Sequence, residues 1–294
     1  MCVSFKHGNI NKAEYDAHVN KKDEARQEKF RDEDSANNAK SVWTMDLQAV
    51  LLCPKTKASS LYYKTKLQVH NFTFFDLKSK EGYCYIWHES EGDLSSEVFA
   101  HHQYRHFEGV IKDYPELKEI VVWSDGCGYQ NRNANVANAF SELARKYGVL
   151  MTQKYLVAGH TQMECDSMHS TIERKMITDI FTPRDYVMIL QTARIRPSPY
   201  HVKVVKHDEI LKLNGSYLLS VRPGKKAGDP TVHDLRALQF RNDGEVHYKL
   251  SFSENSAWEA LPQRVQVPNE PMAWIECFHV LCQSRRGSFR TFSP

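Results

Sequence analysis

Three aspartates stand where a folded chain has little reason to leave a charge uncompensated. Asp46 interrupts the apolar run SVWTMDLQAVLL, Ser41 to Leu52, and a charge inside a buried strand is costly unless something balances it. Asp125 follows the short apolar segment EIVVWS and opens the glycine-bearing loop DGCGYQN. Ligand sites in α/β proteins gather at such carboxyl ends of strands. Asp166, in GHTQMECDSMH, falls on a helical segment just past the next strand. Carboxylates brought together need cations, and hard divalent ions such as Mg²⁺ or Mn²⁺ are the usual partners. Two such ions about 4 Å apart serve in-line phosphoryl transfer. Glu164 and Glu173 are alternative third acids. Glu173 lies two turns beyond Asp166 on the same helix face, from where it could reach a metal through water, or it is a plain surface acid.

Other side chains could serve the same chemistry. Gln130 and Asn131 open a helical segment whose N-terminus favours a phosphate, or they simply cap it. His160 and His169 could contact a metal-bound phosphate. His169 also stands at i+3 from Asp166, so a zinc site drawing on His160, Cys165, Asp166 and His169 is an alternative. Arg194, Arg196, Lys203, Lys206, Arg222, Lys225 and Lys226 follow the acids and could neutralise phosphates along a nucleic acid, or be ordinary surface charge. His101, His102 and His106, with Arg105, read as an exposed helix face.

The elements that must position the acids are legible as hydrophobic periodicity. Ser41–Leu52, Leu61–Leu77 and Gly82–His88 read as three successive strands, an antiparallel meander whose aromatics Tyr62, Tyr63, Phe72, Phe74 and Phe75 belong to the sheet core. A helix follows over Leu94–Asp113, stopped by Tyr114–Pro115. A strand at Glu119–Ser124 leads to a helix over Asn131–Tyr147 with Gly148 as its stop. Val149–Val157 is a strand, Thr161–Ile177 a helix, and a short helix runs from Pro183 to Thr192. The expected fold is α/β: a mixed five-stranded sheet flanked by helices, with an N-terminal helix and a small C-terminal β-rich unit. The expected divisions are 1–41, a helical and polar segment; 42–193, the core; 194–265, the basic β-rich unit; and 266–294, an irregular tail.

The 294 residues carry a formal charge of only +3. That total hides a division: residues 42–193 sum to −2 and residues 194–250 to +5. The seven cysteines are odd in number and include no CxxC pair, so a disulfide framework or zinc-finger array is excluded and a reducing compartment, cytosol or nucleus, is expected. No apolar run approaches the roughly 18 residues of a membrane span. The first thirty residues are too polar for a signal peptide.

The element order, with acids in mid-strand one, at the end of strand four and on the helix after strand five, resembles the RNase H-like fold of DDE/D transposases and retroviral integrases. The segment Asp166-Ser167-Met168-His169 is similar to the integrase segment that carries the third acid. SDGCGYQNRN together with GHTQMECDSMHSTIE looks like a family of uncharacterised, transposon-derived animal proteins whose members read SDNC-G-QN and GH(S/T)-x4-D. The resemblance spans about residues 42–180, and Gly126 departs from its Asn. It implies a metal triad of Asp46, Asp125 and Asp166, two Mg²⁺ or Mn²⁺ ions, and cleavage or transfer of a DNA phosphodiester, with a homo-oligomer and a nuclear location in keeping. A domesticated relative that binds DNA or a protein but no longer cuts is the alternative reading.

Overall fold

The computed structural model describes residues 11–56, 65–262 and 272–276. Tyr62, Tyr63, Cys2, Cys277, Cys282 and most of the expected tail lie outside these residues. A long helix, α1 (Lys12–Asp34), leads into β1 (Lys40–Leu47), β2 (Leu51–Cys53), β3 (Leu67–Asp76) and β4 (Gly82–His88). Then come α2 (Ser96–Asp113), β5 (Glu119–Ser124), α3 (Ala134–Tyr147), β6 (Leu150–Tyr155), α4 (Glu164–Lys175) and α5 (Pro183–Thr192). The remaining strands are β7 (His201–Val204), β8 (Leu211–Asn214), β9 (Ala237–Phe240), β10 (Val246–Lys249), β11 (Glu259–Ala260) and β12 (Ala273–Glu276).

Mixed α/β architecture is what the alternation demands. β1, β3 and β4 form the antiparallel meander, while β5 and β6 join β1 in parallel on its other side. The apolar run expected as one strand is broken at Gln48–Val50, and β2 pairs with β3 instead of extending β1. The β-rich segment after 194 does not stand apart from the core. β7 pairs with β4 at one edge, and β9, β10 and β11 extend the other edge beyond β6, giving a ten-stranded sheet. Short strands of this kind cannot be stable alone, and the ladder edges of β4 and β6 offer them partners.

The period of two along each strand sorts side chains between the two faces. Trp43 and Met45 of β1, Phe72 and Phe74 of β3, and Ile120 and Val122 of β5 pack in one cluster with α2 and α3. Val42, Val121 and Trp123 face the opposite side, toward Ala25 of α1 and Met163 before α4. Thr44 lies on that second face too, with its Oγ1 3.6 Å from Cys165 Sγ of α4. The same alternation carries Asp46 and Asp125 onto the α4 side.

α2 overturns the expectation of an exposed histidine face. His101, His102 and His106 are all buried. His106 stacks on Phe74 at 4.0 Å and meets Tyr85 OH at 3.1 Å through Nδ1, and burial pushes its pKa down to about 3. The helix is covered on its outer side by the two-stranded β8–β12 sheet, Trp274 lying 4.5 Å from Tyr104. α1 contributes one buried apolar residue, Ala25, and docks through charge. Asp32 accepts from Lys154 Nζ at 2.8 Å and Trp123 Nε1 at 2.9 Å, and Lys29 donates to Glu164 at 2.7 Å. α3 ends as expected: Gly148 sits at φ +68° and donates its N–H to Ala144, a left-handed cap that glycine adopts without penalty.

Candidate active site

Because β1 and β5 are parallel, with Thr44 opposite Trp123, both strands deliver their acids to the same carboxyl end of the sheet. Asp46 pairs across β1–β3 with Thr73. α4 crosses this face, and Asp166 in its first turn and His169 one turn later come over the strands. Carboxylate oxygens of Asp46 and Asp166 and a ring nitrogen of His169 all lie within 4.8 Å of one another. That is a spacing one cation could bridge.

Two of the acids are held by identifiable contacts. Asp125 Oδ1 accepts from the Cys127 N–H at 3.0 Å and from Asn131 Nδ2 at 2.7 Å. Asp166 Oδ2 accepts from the Met163 N–H at 2.7 Å, capping the helix that carries it. Each bond fixes one oxygen and leaves the other oxygen of that carboxylate outside it. Asp46 is half-buried, and no side chain among the described residues forms an ion pair with it. Burial first, then the charges of Asp125 and Asp166, raise its carboxyl to about 7.

His169 is buried against the same strands, and its tautomer follows from one proton count. Thr73 Oγ1 donates its hydrogen to the Asp46 carbonyl at 2.9 Å. A hydroxyl has no second proton, so across the 2.8 Å contact between Thr73 Oγ1 and His169 Nε2 the ring must donate. The lone pair is then on Nδ1. Burial lowers the His169 pKa to about 4, against the opposing pull of Asp166 and Glu173, so the ring is neutral at pH 7. A neutral imidazole with one nitrogen fixed by a neighbour is the form that ligates metals. Thr73 carries no signal in the sequence; its role appears only through its register with Asp46.

The rival acids take other places. Glu164 is bound to Lys29 of α1. Glu173 is exposed at the rim and accepts from Gln48 Nε2 at 3.3 Å. The zinc set is dispersed: the His160 ring lies 5.2 Å from that of His18, and the Cys165 thiol points to Thr44 and the Thr73 carbonyl, with burial raising its pKa to about 12. Gln130 and Asn131 do not open α3, whose N-cap is Asn133. Both are buried; Gln130 bonds the Tyr129 hydroxyl, and Asn131 orients Asp125 instead of meeting solvent.

The basic segment is split across the molecule. Arg194 is committed to backbone, donating to the carbonyls of Ser198 at 2.7 Å and Lys80 at 2.9 Å, with its guanidinium over Tyr200. Arg196, Lys203 and Lys206 are exposed near the β4–β7 edge, Lys203 lying 3.6 Å from Glu209. Lys225 and Lys226 are exposed in the loop leading to β9, which belongs to the opposite edge. The seven residues therefore do not form one strip.

A family model described as a domain of unknown function (DUF8701) matches residues 53–196. The similarity covers Asp125, Asp166, His169 and Glu173, and begins after Asp46. No curated protein matches the chain. No helix among the described residues is long and apolar enough to cross a membrane.

Proposed function

We propose that the chain is an RNase H-like, divalent-metal-dependent domain that cleaves or transfers DNA phosphodiesters. The observation that carries this reading is the meeting of Asp46, Asp166 and His169 ligand atoms within 4.8 Å, with Asp125 near enough to raise the pKa of Asp46. Such a group is electrostatically incomplete without a cation. Asp46 stands between two acids and is the ligand suited to be shared, with Asp125 on one side and Asp166 and His169 on the other. A bound cation supplies Lewis-acid stabilisation of the attacking and leaving oxygens in phosphoryl transfer. The protein's part is orientation: Asn131 fixes Asp125, the Met163 N–H fixes Asp166, and Thr73 fixes the His169 tautomer. The nitrogen donor favours Mn²⁺ over Mg²⁺, since magnesium prefers an all-oxygen shell.

Nicking of supercoiled plasmid DNA tests the reading, with Mn²⁺, Mg²⁺, Zn²⁺ and chelator in parallel. Mn²⁺-dependent nicking is expected, falling about a hundredfold or more in Asp125→Ala. In His169→Asp the preference is expected to move toward Mg²⁺. Nicking unchanged by Asp125→Ala rejects this site. A chain that binds no Mn²⁺ by calorimetry but holds DNA in a salt-dependent way is the non-cutting binding module instead.

A further inference from the structure

On the far side of Asp125 from β1 lies a cavity of about 860 Å³. Leu156 and Val157 form an apolar wall and Lys21, Arg132 and Arg236 a basic one, while Asp125 and Glu14 also line it. Arg132 is only 6% exposed. Its Nη1 donates to the carbonyls of His233 at 2.9 Å and Val232 at 3.4 Å, and its guanidinium lies 4.3 Å over the Tyr155 ring. Its Nε is buried with no hydrogen-bond partner. Arg236 repeats the pattern: Nη1 donates to the Leu235 carbonyl at 3.4 Å, and Nε is buried and unpartnered. Among the described residues no carboxylate stands within ion-pair distance of either guanidinium. Asp125, Asp234 and Glu24 act at longer range, and burial lowers the pKa of both arginines.

A buried guanidinium and a half-buried one, each with an idle donor, are expensive unless an anion with several acceptor oxygens completes them. Glycine at 126 makes room for the first of them, since a Cβ there would come 2.5 Å from Arg132 Nη2. The apolar wall and the volume exceed what a bare anion needs and suit an attached ring. The cavity also borders Asp125, so its occupant would be continuous with whatever the acids act on. We propose that this cavity is a subsite for one nucleotide of the nucleic-acid strand, with the phosphate on Arg132 and Arg236 and the sugar or base against Leu156 and Val157. The proposal rests on the phosphodiester reading of the acids for its place in the reaction.

Calorimetry on the full chain in chelator tests it without any metal. The probes are thymidine 5′-monophosphate, the dinucleotide TpT with only an internal phosphate, thymidine, and inorganic phosphate. Binding of the monophosphate or of TpT is expected, tighter than inorganic phosphate and absent for thymidine; the stronger of the two tells whether a strand end or an internal linkage is held. Arg132→Gln, Arg236→Gln and Gly126→Ala are each expected to weaken it tenfold or more. Should Arg132→Gln fail to fold by circular dichroism, the other two variants decide. The subsite is rejected if neither nucleotide binds, if phosphate binds as tightly, or if Arg236→Gln and Gly126→Ala bind normally. Asp46→Asn should lose nicking yet keep nucleotide binding in chelator. Nucleotide binding without metal-dependent nicking would overturn the metal reading alone, and nicking with normal binding in these variants would overturn the subsite alone.

Discussion

Glu108 and Asp46 are both carboxylates drawn out of water, and their acidities move in opposite directions. Glu108, on α2, accepts from Tyr147 OH at 2.7 Å and Lys146 Nζ at 3.1 Å, with Arg105 at 3.1 Å and Lys112 at 3.4 Å on its other oxygen. Burial raises its pKa, but these partners outweigh that and hold it at about 2. Asp46 is also raised by burial, but it meets Asp125 and Asp166 in place of lysines, so it rises to about 7. Desolvation alone therefore does not tell a structural acid from a functional one; the sign of its neighbours does. The chain completes Glu108 with its own cations, and the proposed metal would do the same for Asp46.

The comparison breaks most visibly through metal binding. Saturating Mn²⁺ should raise the melting temperature of the native chain, and Asp46→Asn should abolish that rise, whereas Glu108→Gln should leave it in place. A metal shift that survives Asp46→Asn would remove the basis for the distinction. Next in size, Glu108→Gln should lower unfolding free energy by about 2 kcal/mol in denaturant at pH 7, less than the full pKa displacement implies because its lysine partners are half-exposed and can be solvated when freed.

The two acids also give opposite pH slopes. Folding lowers the Glu108 pKa, so its stabilisation is present above about 4.5 and is lost as pH falls toward about 2. Folding raises that of Asp46, so between about 3.8 and about 7 the folded state keeps a proton that the unfolded chain has released. In chelator the native chain should therefore lose stability relative to Asp46→Asn as pH rises through that window, by on the order of 2 kcal/mol. A flat difference across pH 4–7 would show that Asp46 is not crowded by its neighbours.

Smaller effects sharpen the picture. Thr73→Val removes the acceptor that fixes the His169 tautomer and should weaken Mn²⁺ about tenfold, while an unchanged affinity would deny Thr73 that role. Glu164→Gln breaks the partly exposed pair with Lys29, should cost under about 1 kcal/mol, and should leave Mn²⁺ affinity alone. Loss of metal binding in Glu164→Gln would make Glu164 the third acid in place of Asp166.

What could be read from the sequence was whatever depended on short-range pattern. The apolar runs SVWTMDL and EIVVWS expose Asp46 as an exception within a strand and Asp125 as the acid at a strand's end, and the meander and the helices α2 to α5 follow from apolar periods of two and of about 3.6. What could not be read depended on partners distant in sequence. His101, His102 and His106 look polar, and only the packing of α2 between the main sheet and the β8–β12 pair shows them buried. α1 has no apolar stripe because it docks through Asp32, Glu28 and Lys29 to Lys154 and Glu164. The basic residues after 194 form a block in sequence but are divided in space, because β7 and β9 leave for opposite edges. Arg132 is one residue from Asn131, yet that its guanidinium has no carboxylate partner among the described residues emerges only when Gly126, Tyr155 and the Val232–His233 carbonyls surround it.

The attachment of the last strands has a consequence for how the chain can be cut or made. A fragment ending near residue 193 would retain all the acids but leave β4 and β6 with bare hydrogen-bonding edges. Such edges recruit other chains, so the fragment should self-associate. During synthesis, the same edges stay open until β7 and then β9 to β11 have left the ribosome, which makes the late strands guardians of the early ones.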